Sequence, residues 1–192
     1  MRMFILYCAT IAALLGAAAA RADDGCPGGS TSVTSSPDGA ALSILFDSFS
    51  VSAAGSNAGT ALVKNCVLAA PLPVPPGYSL GVYRVDYRGF AHLAGRETAE
   101  LAVDYHLGPK GKSRQYRRKV MGPTDDNFLF TENIGAGLMK RIGCGEPAVL
   151  NVSLQLSLRP LAADDALVTM DSSDGAAKGG LIYYFDFKKC AS

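Results

Sequence analysis

The chain has 192 residues, of which 48% are hydrophobic and 18% charged, and it contains 21 Gly, 10 Pro and no Trp. This length and composition fit one globular domain and exclude a disordered or fibrous chain. Lys and Arg number 18 against 17 Asp and Glu, so the net charge is close to zero. Nothing in the overall charge therefore indicates a nucleic-acid-binding protein or an enzyme for acidic substrates.

The first 22 residues have the parts of a secretory signal peptide. Arg2 precedes an apolar run over residues 4–20, and an A-x-A cleavage pattern follows at residues 20–22. A run of 17 residues is short for a membrane anchor and is followed at once by polar residues. We therefore predict cleavage after Ala22, a single secreted domain over residues 23–192, and no membrane span after cleavage.

Cysteine content indicates two disulfides. Cys8 lies in the predicted signal peptide, which leaves an even number of cysteines in an oxidising compartment. A zinc site is a weaker interpretation, because no two of these cysteines have C-x-x-C spacing and neither histidine is close to one. We expect no cofactor, and we assign the disulfides to Cys26, Cys66, Cys144 and Cys190.

The hydrophobic pattern predicts an all-β chain. Short runs with a period of two alternate with clusters of Gly, Pro, Asn, Asp and Ser, which is typical of an antiparallel, jelly-roll-like β-sandwich. The one helical candidate, at residues 136–142, is short and bounded by glycine. Strands are predicted at 31–35, 41–49, 61–68, 78–88, 98–107, 114–120, 128–131, 148–158, 166–171 and 181–187.

The disulfide pairing depends on how the last three predicted strands are arranged. If they form a meander, Cys144 and Cys190 lie at opposite ends of the sheet, roughly 30 Å apart. A disulfide requires Cα atoms about 4.4–6.8 Å apart, so this pair and its complement are excluded. We predict Cys26 with Cys190 and Cys66 with Cys144, in preference to Cys26 with Cys144 and Cys66 with Cys190.

Residues 110–119 carry six positive charges and no acid. Such a strip can grip an extracellular polyanion, for example cell-wall polysaccharide, with a tyrosine available for stacking. The alternative is an edge strand whose charges prevent edge-to-edge aggregation. The residues assigned to possible polyanion binding are Lys112, Arg114, Tyr116, Arg117, Arg118 and Lys119.

A hydrolase is the alternative function. A Ser-His-Asp site would need His92 or His106, but the chain has no G-x-S-x-G motif. A glycosidase would need two carboxylates that meet in the fold. Asp86 could approach Asp104 across paired strands, but Arg84 and Arg88 on the same face would lower the pKa of Asp86, which is the wrong direction for a general acid. We therefore expect an exposed ladder of charges between the two strands.

Asn151 begins the one N-x-S/T sequon of the chain. The period-two pattern places Asn151 on the solvent face of its strand, so it is a possible N-glycosylation site in a eukaryotic host.

Nine short motifs follow one another along residues 25–190: Gly25-Cys26-Pro27, Ser36-Pro37-Asp38-Gly39, Phe46-Asp47-Ser48-Phe49, Asn65-Cys66, Pro76-Gly77-Tyr78, Val85-Asp86-Tyr87-Arg88-Gly89-Phe90, Cys144-Gly145, Asp171-Ser172-Ser173-Asp174-Gly175 and Lys189-Cys190. Their order resembles that of a family of small secreted proteins, frequent in fungi, known as domain of unknown function 4360. The resemblance implies secretion and cysteine bonding, and it supplies no catalytic residue. We therefore expect a non-catalytic surface or binding protein that engages cell-wall or host polymers.

Overall fold

The structure is a computed structural model that describes residues 21–23, 25–53, 59–109, 111–135, 140–160, 165–170 and 179–191. All strand pairs in it are antiparallel, and two sheets pack as a sandwich, which confirms the predicted fold class. The described strands are β1 (Arg21–Asp23), β2 (Thr31–Ser35), β3 (Ala41–Phe46), β4 (Ser50–Ala53), β5 (Leu62–Pro71), β6 (Tyr78–Leu93), β7 (Thr98–Leu107), β8 (Arg114–Met121), β9 (Thr124–Asn133), β10 (Arg141–Gly143), β11 (Val149–Arg159), β12 (Ala166–Thr169) and β13 (Gly180–Lys189).

The first sheet has five strands in the order β1-β5-β11-β7-β8. Its central strand β11 follows the predicted alternation: the even-numbered residues from Leu150 to Leu158 are buried, whereas Ser153 and Gln155 are exposed. One face of this sheet therefore packs on the core and the other faces solvent. β8 pairs with β7 alone, so it is an edge strand among the described residues.

The second sheet is built around the 16-residue strand β6 and has the order β2-β3-β13-β6-β12-β4. β13 and β12 pair with successive parts of β6, and β9 and β10 also pair with it. β6 and β7 lie in different sheets, so the predicted pairing of Asp86 with Asp104 across neighbouring strands is wrong. The chain turns from one sheet into the other between these two strands.

Large apolar side chains fill the space between the sheets. Tyr87, Tyr183, Phe46 and Phe49 are among the largest of the fully buried side chains. Each fully buried side chain of this kind contributes about 1.5–3 kcal/mol to the free energy of unfolding. The inward positions of both sheets thus supply one continuous core.

Several predicted elements differ at their ends. The strand predicted at 41–49 ends at Phe46, and a separate short strand, β4, starts at Ser50. In the helical candidate, Arg141–Gly143 form strand β10, and residues 136–139 lie outside the described residues. The predicted turn at residues 36–39 is present, with the Gly39 amide donating to the Ser36 carbonyl at 2.9 Å.

The predicted disulfide pairing is wrong. The bonds join Cys26 to Cys66 and Cys144 to Cys190, with Cα separations of 5.2 and 5.7 Å. The error comes from the assumed meander: β11 belongs to the first sheet, while β12 and β13 belong to the second. The last three strands, β11, β12 and β13, are therefore not consecutive neighbours in one sheet.

Both members of the second disulfide lie beside the start of β6. β10 and the end of β13 each pair with this part of β6. The Cys144 amide donates to the Tyr78 carbonyl at 3.0 Å, and the Cys190 amide donates to the Gly77 carbonyl at 2.9 Å. Cys144 has a φ of 56°, and this left-handed conformation ends β10 at the bond.

Candidate functional site

The predicted basic strip forms most of the edge strand β8, and its side chains alternate between two faces. Tyr116 is buried and packs on the core, whereas Gln115, Arg117 and Lys119 are exposed. The strip is therefore not one surface, because strand geometry sends neighbouring side chains to opposite sides of the sheet.

Arg114 points into the sandwich and forms an ion pair with Glu132 of β9. Glu132 is 7% exposed, and it also accepts hydrogen bonds from the hydroxyls of Tyr87 at 2.8 Å and Tyr105 at 3.2 Å. Burial, followed by the charge of Glu132, raises the pKa of Tyr105 far above its usual value, so this hydroxyl stays a donor. The charge of Arg114 is thus neutralised within the protein.

Tyr116 cannot stack on a ligand as predicted. Its side chain is buried, and its ring stacks on the ring of Tyr87 with centroids 4.2 Å apart. The guanidinium carbon of Arg118 lies 4.9 Å from the Tyr116 ring centroid. Tyr116 is a core residue, and Arg118 caps it at the edge of the sandwich.

Arg117 and Lys119 share one carboxylate on the outer face of the first sheet. Glu100 lies 3.3 Å from Arg117 Nη1 through Oε1 and 3.7 Å from Lys119 Nζ through Oε2. Both cationic side chains are more than half exposed. Such exposed ion pairs contribute about 0–1 kcal/mol each, so these charges remain available to a ligand.

A depression of about 320 Å³ lies beside this ion-pair cluster on the outer face. Lys119 and Arg159 line it together with the polar side chains of Thr98, Gln155 and Ser157. Arg159 was not predicted as a site residue, although it continues the outward, odd-numbered positions of β11. If the alternation of inward and outward side chains is continued one residue beyond the predicted strand, it places Arg159 on the outer face.

A larger cleft of about 500 Å³ opens near the other end of β7 and β8. Its lining combines apolar and basic side chains. Lys140 belongs to this cleft and was missed from the sequence, because the helical candidate gave it no position relative to β8. The described lining residues are Val82, Tyr105, His106, Leu107, Lys112, Ser113, Arg114, Gln115, Ile134 and Lys140.

The carboxylates proposed for a hydrolase do not converge. Asp86 lies between the core residues Val85 and Tyr87, so it occupies the outer face of the second sheet, where it is 1% exposed. It accepts hydrogen bonds from Arg84, Thr131 and Tyr184. The bond from Arg84 is the largest cause that lowers the Asp86 pKa below its usual value, which is the wrong direction for a general acid.

His92 is the second sheet's exposed histidine, and it contacts a carboxylate. Its Nδ1 lies 3.0 Å from Asp125 Oδ1. Ser52 is in the same row of the sheet, but Leu167 lies between Ser52 and His92. Two strand spacings separate this serine from the histidine by roughly 10 Å, which is too far for a nucleophile and its base.

Asn151 lies on the outer face of β11, where its neighbours across the sheet are Ala69 and His106. It is half-buried. Its glycosylation remains a prediction.

Within the described ranges, no three His, Cys, Asp or Glu side chains are placed to hold a metal ion. The same residues include no helix that is long and apolar enough to cross a membrane.

The fold is weakly similar to carbohydrate-binding modules of known structure. TmCBM61, solved in complex with β-1,4-galactotriose, is 13% identical with a TM-score of 0.34, over 90% of both chains. The CBM22-1 and GH10 modules of Clostridium thermocellum xylanase 10B, solved with xylohexaose, are 12% identical with a TM-score of 0.29, over 91% of this chain and 27% of that one.

A relative from the fungus Arthroderma benhamiae is named as an uncharacterized secreted protein. It is 26% identical over 156 residues, which are 80% of this chain. The chain spans 63% of that relative's length. The family described as "Domain of unknown function (DUF4360)" matches residues 21–190, a range that includes all four disulfide-bonded cysteines. The chain belongs to this family.

Proposed function

We propose that this protein is a secreted, non-catalytic binding protein that holds an acidic polysaccharide of the cell wall or of a host on the outer face of its five-stranded sheet. One observation carries the proposal. Lys119 and Arg159 flank a depression that is otherwise lined mainly by small and polar side chains. Cations beside hydroxyl and amide groups suit a sugar chain that bears carboxylates or sulfates.

Positive charge exceeds negative charge around the depression. Arg117 and Lys119 share the single carboxylate of Glu100, and Arg159 has no ion-pair partner in the part of the chain that the structure describes. Arg117 and Lys119 are about 7 Å apart along β8, and Arg159 is on β11, about 10 Å across the sheet. A ligand that meets all three cations must be extended, as a polymer is.

Hydrogen-bonding groups between these cations fit sugar hydroxyls. The Gln155 amide donates to Asn65 Oδ1 at 3.0 Å, which fixes its orientation and turns its own carbonyl oxygen to other donors. Thr98 and Ser157 are half-buried and lie on neighbouring strands. None of the described residues that line the depression is aromatic, so charge and hydrogen bonds have to supply the affinity.

Secretion is part of the proposal and has three supports. The N-terminal residues have the pattern of a signal peptide. Two disulfides are typical of proteins from oxidising compartments. The fungal relative is named as a secreted protein.

Affinity electrophoresis of the secreted protein in gels that contain polygalacturonate, heparin or neutral xylan tests the proposal. We expect retardation by at least one of the acidic polymers, loss of that retardation at high salt, and free migration with xylan. The double variant R117S/K119S should bind about tenfold more weakly, because two exposed cations leave the face. R159S should weaken binding in the same direction.

K188S/K189S is the matched control, because it also removes two exposed neighbouring cations, from the end of β13. It should bind like the parent protein. Equal weakening by the two double variants would mean that net charge alone drives binding and would refute the assigned face. Free migration of the parent protein in both acidic gels at low salt would refute the function.

A further inference from the structure

We infer that the cleft between the two sheets, at the start of β8, binds a small amphipathic organic anion with an apolar body and one carboxylate. This site is separate from the polysaccharide face. The depression contains Glu100 and the cleft contains His106, and these positions on β7 are about 20 Å apart.

The floor of the cleft is apolar and comes from both sheets. Val82 of β6 and Leu107 of β7 contribute from opposite sheets, and Ile134 follows the last residue of β9. All three side chains are buried. The volume of about 500 Å³ falls within the range of about 300–1,000 Å³ that is typical of pockets for small organic ligands.

The rim of the cleft is basic, and none of the described residues that line the cleft is acidic. Lys112 and Lys140 line it, and neither has an ion-pair partner within the described ranges. The sequence segments 108–113 and 134–140 around these two lysines contain three lysines and no acidic residue. An anion that enters the cleft therefore meets two ammonium groups that form no ion pair with any described residue.

Two carboxylates lie next to lining residues of the cleft, Asp104 and Glu132, and neither is itself among the described lining residues. Asp104 accepts a hydrogen bond from the Ser113 hydroxyl at 3.4 Å. Glu132 is buried and accepts hydrogen bonds from Arg114, Tyr87 and Tyr105, so three donors already balance its charge. Arg114 and Tyr105 themselves line the cleft and stand between Glu132 and its interior. The described lining residues therefore present cationic groups, and no carboxylate, to an anion in the cleft.

The apolar floor and the basic rim together indicate the class of ligand. A fully polar sugar acid would leave the aliphatic floor without a partner, and a neutral hydrocarbon would leave the lysines without one. A ligand with an apolar body and a terminal carboxylate satisfies both parts, since burial of apolar area and a charge-assisted hydrogen bond add their contributions.

Isothermal titration of the folded mature chain with 2-naphthoate tests the inference. We expect saturable one-to-one binding of 2-naphthoate. The neutral analogue 2-naphthylmethanol tests the charge and acetate tests the apolar body. Each analogue should bind at least about tenfold more weakly than 2-naphthoate, because 2-naphthylmethanol lacks the carboxylate and acetate lacks the apolar rings.

Variants assign the binding to the cleft. K112S and K140S should each weaken 2-naphthoate binding about tenfold, as expected for the loss of a charged hydrogen bond. R117S/K119S changes the polysaccharide face and should leave 2-naphthoate binding unchanged. Thermal unfolding of each variant checks that the fold is intact.

Three results would overturn the inference: no saturable heat of binding with 2-naphthoate up to about 1 mM, equal affinity for 2-naphthylmethanol, or unchanged affinity in the K112S/K140S double variant. None of these results depends on the polysaccharide experiment. The two proposals can therefore fail separately.

Discussion

At the scale of single residues, the cations of the basic strip differ in whether they pair with the buried Glu132. Arg114 does and has a structural role, whereas Arg117 and Lys119 stay on the surface. Arg114 belongs to the same sequence strip as Arg117 and Lys119, but its partner Glu132 lies on β9, which pairs with β6 in the other sheet. From the sequence, Arg114 can be recognised only as one of several cations in a predicted basic strand. The sequence does not place Glu132 opposite Arg114, because that contact requires the crossing from β8 to β9.

Removal of Glu132 tests the structural role of its ion pair with Arg114. E132A should lower the free energy of unfolding by about 2–4 kcal/mol, because the hydroxyls of Tyr87 and Tyr105 and the Arg114 guanidinium lose their acceptor in a buried site. R114S should destabilise in the same direction, because it leaves the buried Glu132 carboxylate without its counter-charge. Urea unfolding of the two variants measures both effects.

R117S is the matched control for R114S, since it removes an arginine from the same strand at an exposed position. Its effect should stay within about 0.5 kcal/mol of the parent protein. If R114S and R117S gave the same unfolding midpoint, the Glu132 cluster would contribute nothing to stability, contrary to this account.

At the scale of secondary-structure elements, the start of β6 connects β10 with the end of β13, because both pair with it. β10 lies on one side and the end of β13 on the other. Arg141 joins them: its guanidinium donates to Asp186 Oδ2 and to the Asp186 carbonyl, both at 2.8 Å, and to Ser79 Oγ at 3.1 Å. The Cys144–Cys190 bond closes the same junction covalently.

Alternating hydrophobicity predicted most long strands and the inward and outward faces of β11, because side-chain direction is a local property of a strand. It did not predict which sheet β11 joins. Both sheets present the same period of two, and sheet membership depends on where the chain crosses the sandwich. The wrong disulfide pairing and the wrong position of Asp86 both follow from this missing information.

The disulfide assignment is directly testable at this scale. Non-reducing peptide mapping should recover one peptide pair that joins Cys26 to Cys66 and another that joins Cys144 to Cys190. C144S/C190S should lower the free energy of unfolding by roughly 4 kcal/mol if loop closure in the unfolded chain dominates. A peptide that joins Cys66 to Cys144 would contradict the observed sheet order.

At the scale of the whole molecule, a net charge near zero conceals an uneven distribution. The basic strip supplies a buried ion pair through Arg114, an outer cluster through Arg117 and Lys119, and the rim of a cleft through Lys112. The sequence indicated excess charge in this strip, and the fold divides it among three environments. The candidate sites therefore also depend on residues that are distant from this strip in the sequence, such as Arg159 and Lys140.

The N-terminus gives a final prediction that concerns the whole chain. β1 pairs Arg21–Asp23 with β5, at the edge of the first sheet, and the predicted cleavage after Ala22 removes two of its three residues. The loss is small, because each backbone hydrogen bond contributes about 0.5–1.5 kcal/mol and the ordering of each residue costs about as much. The Cys26–Cys66 bond still fixes this end of the chain to β5.

We therefore expect the secreted protein to begin at Asp23 and to unfold within about 1 kcal/mol of a chain that begins at Arg21. Intact mass and N-terminal sequencing of the secreted product establish the cleavage site, and urea unfolding compares the two chains. A secreted product that keeps residues 4–20 would contradict the signal-peptide prediction. A larger loss of stability on removal of Arg21 and Ala22 would show instead that β1 is needed to complete the sheet, because its pairing would then outweigh the entropy of ordering it.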